Sequence, residues 1–402
     1  MRVEARDRTT RLSWPSEFAR NRRDRDAALV LAALRGITAG RLLRFAETDR
    51  TASALLERVR TGGAGSDNDR AAALALGPET VRAEMEAAGA RVVFVGEEDY
   101  PAELEHLFDP PLALFMRGRP LVAGAVRVAV VGARNCSDLG RDVARDLGRS
   151  LAAAGVAVVS GAARGIDAAA HEGALGTGGP TVAVLGRGID AARAARRLDL
   201  VGRIAQDGTV VSEYAPGVPA EPFRFPARNR IVAALSRAVV VVEGEARSGS
   251  LISAEHALEL GRDVLAVPGA VVNPLSEAPN RLIRDGATLI RGPTDVLHAL
   301  GVEPAEQTSV AELDLPDAER RALAAVRGSV VPDRVAARLR VPVPEALALL
   351  LRLELRGLVR SVGGRFERRA PPKPPAGRGR PDQGVLGRSG AVGRSGGPPV
   401  EA

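Results

Sequence analysis

The spacing of apolar residues along the chain changes twice, and the changes divide the sequence into three kinds of structure. From residue 27 to 60, Leu29, Leu31, Leu34, Leu42, Leu43, Leu55, Leu56 and Val59 recur at helical intervals, which predicts a helical section. The Gly- and Asp-rich run 61–69 interrupts it, and a further helix over 78–88 leads into a short strand at 91–95. The middle section alternates short β-branched runs with Ala-rich helical stretches. Strands are predicted at 127–131, 156–160, 181–185, 210–212, 238–243 and 263–267, with helices such as 138–154 and 253–260 between them. That alternation predicts a mostly parallel sheet covered on both faces, with the loops after each strand gathered along one edge, where open α/β sheets bind ligands. Near the end, helices over 316–326, 331–339 and 344–355 precede a hairpin at 358–366 turning at Gly363 and Gly364, the pattern of a winged helix.

Domain boundaries follow. Residues 1–26, dense in Arg and Asp, are expected to form a disordered basic arm, and 27–105 a small helical N-terminal domain with its connector. Residues 106–302 are expected to form a Rossmann-like α/β domain and 312–368 a winged helix. The Pro-, Gly- and Arg-rich run 369–402 is expected to be a disordered basic tail.

The 402 residues carry a net charge of +7, mostly as arginine, whose planar fork suits bidentate phosphate contacts. One cysteine, Cys136, rules out an internal disulfide and a cysteine zinc cluster. No apolar run approaches the roughly 20 residues that span a bilayer, and the charged N-terminus has no secretory pattern. A cytoplasmic protein without cofactor, metal or membrane partner is expected.

Candidate chemistry sits in the loops after the strands. Gly132, Arg134 and Asn135 follow the first, and Gly161, Arg164 and Gly165 the second. Each glycine allows close backbone approach, and the helix behind each loop offers unpaired N–H groups to an anion. The first loop could instead be a plain tight βα turn at Gly132. Asp167 reads as a helix cap and His171 as structural. The segment Phe223-Arg224-Phe225-Pro226-Ala227-Arg228-Asn229-Arg230 mixes arginine with aromatic rings, suiting phosphates and stacked bases, unless the rings pack inward and the arginines are merely solvated. Placed in a helix N-terminal turn, Arg228 and Arg230 oppose the dipole unless something anionic is near. Ser248, Gly249 and Ser250 form a cradle of amides and hydroxyls, or simple caps. No catalytic triad, phosphate-loop lysine or metal cluster accompanies them, so the edge is read as holding a polyanion, not transforming it.

The runs VAVVGARN, VVSGAARGIDAAAHEGAL, TVAVLGRGID, FRFPARNRIVAALS and AVVVVEGEARSGSLISAEHALELGRDVLAVPG resemble the DNA-processing protein A (DprA/Smf) family in number, order and spacing. The resemblance implies an extended Rossmann fold that binds single-stranded DNA, pairs as a homodimer, interacts with RecA and protects strands during natural transformation. Arg134, Arg164, Arg228 and Arg230 would then line the basic pocket, with Gly132, Gly161, Gly165 and Ser250 letting backbone come close to phosphate. One departure stands out. After Gly188-Ile189-Asp190 the family usually carries a Tyr-Pro segment, where this chain has an Ala- and Arg-rich run.

Two other readings exist. A nucleotide-monophosphate phosphoribohydrolase would need a Pro-Gly-Gly loop and a catalytic Glu that the run 247–253 lacks. A transcription regulator would use the helix 344–355 as its reader, but that helix is strongly apolar apart from Arg352 and Arg356 near its end.

Overall fold

Leucines at helical spacing and well-placed caps build the first five helices: α1 (Arg22–Ala33), α2 (Ala39–Asp49), α3 (Ala52–Arg60), α4 (Asp67–Ala75) and α5 (Pro78–Ala88). Asn21 caps α1 by accepting from the Asp24 amide, and Asp24 accepts from the Ser53 amide at 3.0 Å, which ties α1 to α3. Ser66 and Asp69 form a reciprocal capping box on α4. The computed structural model describes residues 12–190, 199–303, 315–326, 330–362 and 364–368, in two compact units, Met1–Glu312 and Leu313–Ala402.

The expected arm over 1–26 is corrected by this arrangement. Residues 1–11 lie outside the described residues, but Phe18 is 1% exposed, stacks against Trp14 at 4.9 Å, and its carbonyl accepts from Ala52. Two aromatic rings give this stretch an apolar anchor that its charge density concealed. Nor do the five helices have a core of their own. Leu31, Leu42 and Leu55 share one buried cluster with Phe115, Leu185 and Val210 of the sheet.

The sheet elements are β1 (Arg91–Phe94), β2 (Ala113–Gly118), β3 (Arg127–Val131), β4 (Ala157–Ser160), β5 (Thr181–Leu185), β6 (Thr209–Ser212), β7 (Ala238–Val241), β8 (Asp263–Ala266) and β9 (Thr288–Leu289). They lie in the order β1-β2-β6-β5-β4-β3-β7-β8-β9. From β6 to β9 every pairing is parallel, whereas β1 and β2 run antiparallel at one side. The strands β3 to β8 are short and almost wholly buried, which is why they read as continuous Val/Ala runs. Helices α6 (Asp138–Ala153), α7 (Ile166–Leu175), α8 (Asp199–Asp207), α9 (Arg224–Ala234), α10 (Gly249–Glu259), α11 (Glu277–Arg284) and α12 (Pro293–Leu300) cover the faces. This is the Rossmann-like, mostly parallel sheet expected from the sequence. The strands β2 and β9 and the helix α8 had no clear signal. The altered segment after Asp190 falls at 191–198, outside the described residues.

The order of strands fixes where a ligand can enter. The chain passes from β3 outward through β4 and β5 on one side, then returns to lay β7 on the other side of β3. Loops leaving β3 and β7 therefore diverge and open a crevice at their carboxyl ends.

The second unit holds α13 (Asp317–Ala325), α14 (Pro332–Leu339) and α15 (Val343–Leu355), followed by the hairpin β10 (Val359–Val362) and β11 (Arg365–Arg368). Leu323, Val335, Leu349, Leu350, Leu353 and Phe366 are buried among them. This is a winged helix. Residues 369–402, expected as a tail, and Gly363 of the expected turn lie outside the described residues. Among the described residues no helix is long and apolar enough to cross a membrane.

Helices α6 and α7 meet backbone to backbone. A Cβ on Gly148 would lie 2.0 Å from the Ala170 carbonyl oxygen, and one on Gly173 would lie 2.1 Å from that of Arg145. Neither backbone can yield without separating the helices. Gly148→Val should therefore destabilise the sheet-bearing unit by about 2–3 kcal/mol, read by chemical denaturation. An unfolding midpoint equal to that of the parent would contradict this packing.

Candidate nucleic-acid interface

A cleft of about 210 Å³ lies at the switch point between β3 and β7. Its walls come from four separate stretches: Val131, Gly132 and Arg134 after β3, Gly161, Ala163 and Asp167 after β4, Phe225, Pro226, Arg228, Asn229 and Val232 on α9, and Ser248, Gly249, Ser250 and Ser253 where α10 begins. Of the residues expected at the site, Gly132, Arg134, Gly161, Arg228, Asn229, Ser248, Gly249 and Ser250 are brought together here.

Arg134 is exposed, and its guanidinium carbon stands 5.1 Å from the centroid of the Phe225 ring. The ring fixes the plane of the fork and leaves its N–H groups free to face an anion. Arg228 is the opposite case, at 4% exposed. It donates one terminal N–H to the Val184 carbonyl, while its Nε, also buried, has no hydrogen-bond partner. Burial pulls its pKa below the usual guanidinium value and the nearby Asp167 carboxylate opposes that shift, as arginine tolerates. Asp167 is buried and accepts from the Gly161 amide at 3.1 Å. Its pKa is raised, chiefly by desolvation and against the pull of Arg228. Arg228 also explains Gly161, because a Cβ there would lie 2.1 Å from its guanidinium.

At the α10 side, the Ser248 hydroxyl caps the helix by accepting from the Ser250 amide at 3.3 Å, and the two hydroxyls lie 2.8 Å apart. Asn229 donates to the Gly249 carbonyl at 3.1 Å and so fixes α10 to α9. The cleft thus presents one free guanidinium, one buried guanidinium with spare donor capacity, hydroxyls and small residues. It can grip a phosphate.

Four expected site residues stand elsewhere. Arg230 is buried and locked between two internal carboxylates, its Nε 2.8 Å from Asp109 and a terminal nitrogen 2.8 Å from Glu213. Helix α9 starts at Arg224, so Arg228 and Arg230 lie beyond its first turn and not within it as expected. The anions that the dipole argument required are Glu213 and Asp109 for Arg230 and Asp167 for Arg228. Gly165, at φ +84°, needs glycine for another reason: a Cβ would meet the Ala133 and Arg134 carbonyls at 2.2 and 2.6 Å. It locks the second loop against the first and leaves no room for phosphate. Asn135 and Arg164 are exposed and lie outside the walls of the cleft.

The expected anion hole at the start of α6 is already filled. Glu243, just past β7, accepts from the Ser137 amide at 2.9 Å and the Ser137 hydroxyl at 2.5 Å. The carboxylate it sends to a neighbouring helix is a long-range contact that no local spacing reveals. His171 is fully buried. Its Nδ1 lies 2.7 Å from the Thr181 hydroxyl, which itself donates to the Val158 carbonyl, so Nδ1 carries the proton. Burial lowers its pKa to about 3 and keeps it neutral. Its reading as structural holds.

A Rossmann-like sheet with a guanidinium-bearing cleft at its switch point, joined in one chain to a winged helix, is the class these elements define. The family described as DNA recombination-mediator protein A matches residues 91–301, and the DprA winged helix domain matches 303–365. The chain belongs to the DNA recombination-mediator protein A family, as the motifs implied. It is 41% identical over 281 residues to Protein Smf of Escherichia coli (strain K12), covering 67% of this chain and 75% of that one. It is 43% identical over 201 residues to DNA processing protein DprA of Streptococcus pneumoniae (strain ATCC BAA-255 / R6), covering 50% and 71%. Among solved structures it is similar to the X-ray structure of DNA processing protein A from Streptococcus pneumoniae. The TM-score is 0.59 and the identity 34%, covering 69% of this chain and 97% of that one.

The two classes of arginine separate in a stability measurement. Arg230→Ala leaves the half-buried Asp109 and Glu213 carboxylates unpaired and should cost about 2–3 kcal/mol in chemical denaturation. Arg134→Ala removes an exposed group and should stay within about 0.5 kcal/mol of the parent. Equal losses would show that Arg134 is structural.

Proposed function

We propose that the switch-point cleft binds the sugar-phosphate backbone of single-stranded DNA, and that the chain acts as a recombination mediator that shields strands and passes them to RecA. The observation that carries this reading is the convergence of Arg134, set on the Phe225 ring, with the incompletely satisfied Arg228 guanidinium in one cleft. An anion entering there would be drawn by the Arg134 fork and by the positive charge of Arg228 behind it. Membership of a family described as recombination mediators supports the same role, as does similarity to a relative named for DNA processing. A place in natural transformation, a cytoplasmic setting and homodimerisation belong to this reading.

The cleft is read as a binding site, not a catalytic one. Among the described residues that line it there is no His, Cys or Lys, and its one carboxylic acid, Asp167, is committed to the Gly161 amide and to Arg228. His171, the nearest candidate for proton transfer, is sealed under the loop as a neutral ring.

Fluorescence anisotropy with a labelled oligonucleotide across a salt series tests the reading. Affinity should fall as salt rises, with a slope of about −0.7 per phosphate neutralised. Arg134→Ala should weaken binding at least about tenfold and flatten that slope by about 0.7. Arg164→Ala, outside the cleft, should change affinity less. If Arg134→Ala bound as tightly as the parent at every salt concentration, the cleft would not be the DNA site.

A further inference from the structure

The switch-point cleft has a neighbour. A cavity of about 250 Å³ opens at the same edge of the sheet, where residues after β6 and ahead of β2 meet the turn between α1 and α2. Helix α9 is the wall between the two. Phe225, Arg228, Asn229 and Val232 face the cleft, whereas Phe223, Arg224, Ala227 and Arg230 face the cavity on the other side. The width of one helix, about 10–12 Å with side chains, separates them, a span of roughly three phosphates at the ~3.4 Å spacing of a stacked strand.

The cavity is amphipathic. Leu31, Leu34 and Leu42 give it a buried apolar wall, and Phe223, 60% exposed, stands with exposed Arg35 at its rim. At about 30 Å³ for one water, its volume suits a flat ring system and far exceeds what a single ion needs. Its polar end is set to accept hydrogen bonds, not to donate them. Arg230 commits every N–H it has to its neighbours. Its Nε donates to Asp109 Oδ1, one terminal nitrogen to Glu213 Oε1 and the Ala227 carbonyl, and the other to Glu213 Oε2 and the Asp109 carbonyl. Among the described residues nothing donates to Asp109 Oδ2, and the Asp109 side chain is 33% exposed.

We propose that this cavity holds one base of the strand gripped by the cleft, and that it favours bases with an exocyclic amino group over thymine. The inference rests on the reading of the cleft as a single-strand site. A strand leaving the cleft over the start of α9 passes Phe223, on whose exposed ring a base stacks, with Arg35 beside it for the phosphate. Turned inward, the base meets Asp109 Oδ2, which accepts from the amino group of cytosine, adenine or guanine. Thymine has no amino group, and its one ring N–H lies between two carbonyl oxygens that the carboxylate repels. A small cation would also suit the acceptors, but Arg35 at the rim opposes its entry.

Fluorescence anisotropy of the full-length chain with labelled oligodeoxycytidine and oligothymidine of about 12 nucleotides tests this. The parent should bind the cytidine strand at least about threefold more tightly. Ala227→Trp, which fills the cavity from an exposed position, should bring the ratio of the two affinities to about one, with far-UV circular dichroism unchanged. Arg134→Ala should weaken both strands alike and keep the parent's ratio. An Arg134→Ala variant that binds both strands as the parent does would sink the cleft reading and this inference with it. A parent without preference, or an Ala227→Trp variant that retains it, would overturn the cavity assignment alone. Photo-cross-linking locates the base: an oligonucleotide carrying 5-iodocytosine should attach to Phe223 or Tyr214, both in the cavity wall. Attachment there by free 5-iododeoxycytidine monophosphate, but not by the oligonucleotide, would replace the strand with a free nucleotide as the occupant.

Discussion

A guanidinium taken out of water must find oxygen acceptors, and on α9 that requirement sorts three arginines within seven residues. Arg224 is held by the Pro219 carbonyl at 2.5 Å and Glu221 at 3.1 Å, with the Tyr214 and Phe223 rings against its face. Arg230 is held by Glu213 and Asp109, and through Asp109 the helix is fixed to the segment ahead of β2. Arg228 alone keeps a buried N–H without an acceptor, and it alone of the three lines the switch-point cleft. The first two are parts of the fold. The third lines the cleft with one buried N–H that its surroundings leave unsatisfied.

Holding that guanidinium in place depends on backbone approaching backbone. Gly165 brings the second loop onto the carbonyls of Ala133 and Arg134, so the loop carrying Arg134 is buttressed from below. Gly132 packs against Ile166 and the Glu243 carbonyl, closing the same junction from the side of β7. A side chain at either position would push the first loop away from the cleft. Arg134 would then lose its register over Phe225, while the elements behind it kept their hydrophobic contacts. Misplacement of about 1 Å is enough to weaken a bidentate phosphate contact.

The strands from β3 to β8 were legible because a parallel strand covered on both faces has no polar alternation, and Val/Ala runs carry that signature unaided. The winged helix was legible for a similar reason, with helices and hairpin in the expected order. The antiparallel β2 and the two-residue β9 were not, since their pairing is decided by neighbours distant in sequence. At the site, the glycines and arginines after β3 and β4 were found by type, but their roles divided on contacts that spacing does not encode. Gly165 and Arg230 look like ligand-binding residues in a motif. One is a spacer between loops, and the other belongs to an ion-pair network completed by Asp109, 121 residues away. Charge density also misled over residues 12–26, where Trp14 and Phe18 outweigh the arginines around them.

The filling of helix ends by the chain's own carboxylates bears on what kind of binding this cleft can perform. Glu243 occupies the start of α6, and Asp167, in the first turn of α7, turns back to the Gly161 amide. The Ser137 amide at the start of α6 and the Gly161 amide after β4 are thus withdrawn from competition for a ligand. If the cleft binds an anion as proposed, Arg134, Arg228 and the serines of α10 would carry the attraction. On the proposed reading, two guanidiniums and two hydroxyls would meet phosphate wherever it occurs along a strand, and none of them is placed by its partners to read a base edge. An exposed arginine resting on a ring can also release one phosphate and take the next with little rearrangement. Backbone-level recognition of this kind, tolerant of sequence and sensitive to salt, is what a protein must have if it is to cover whatever single strand reaches it.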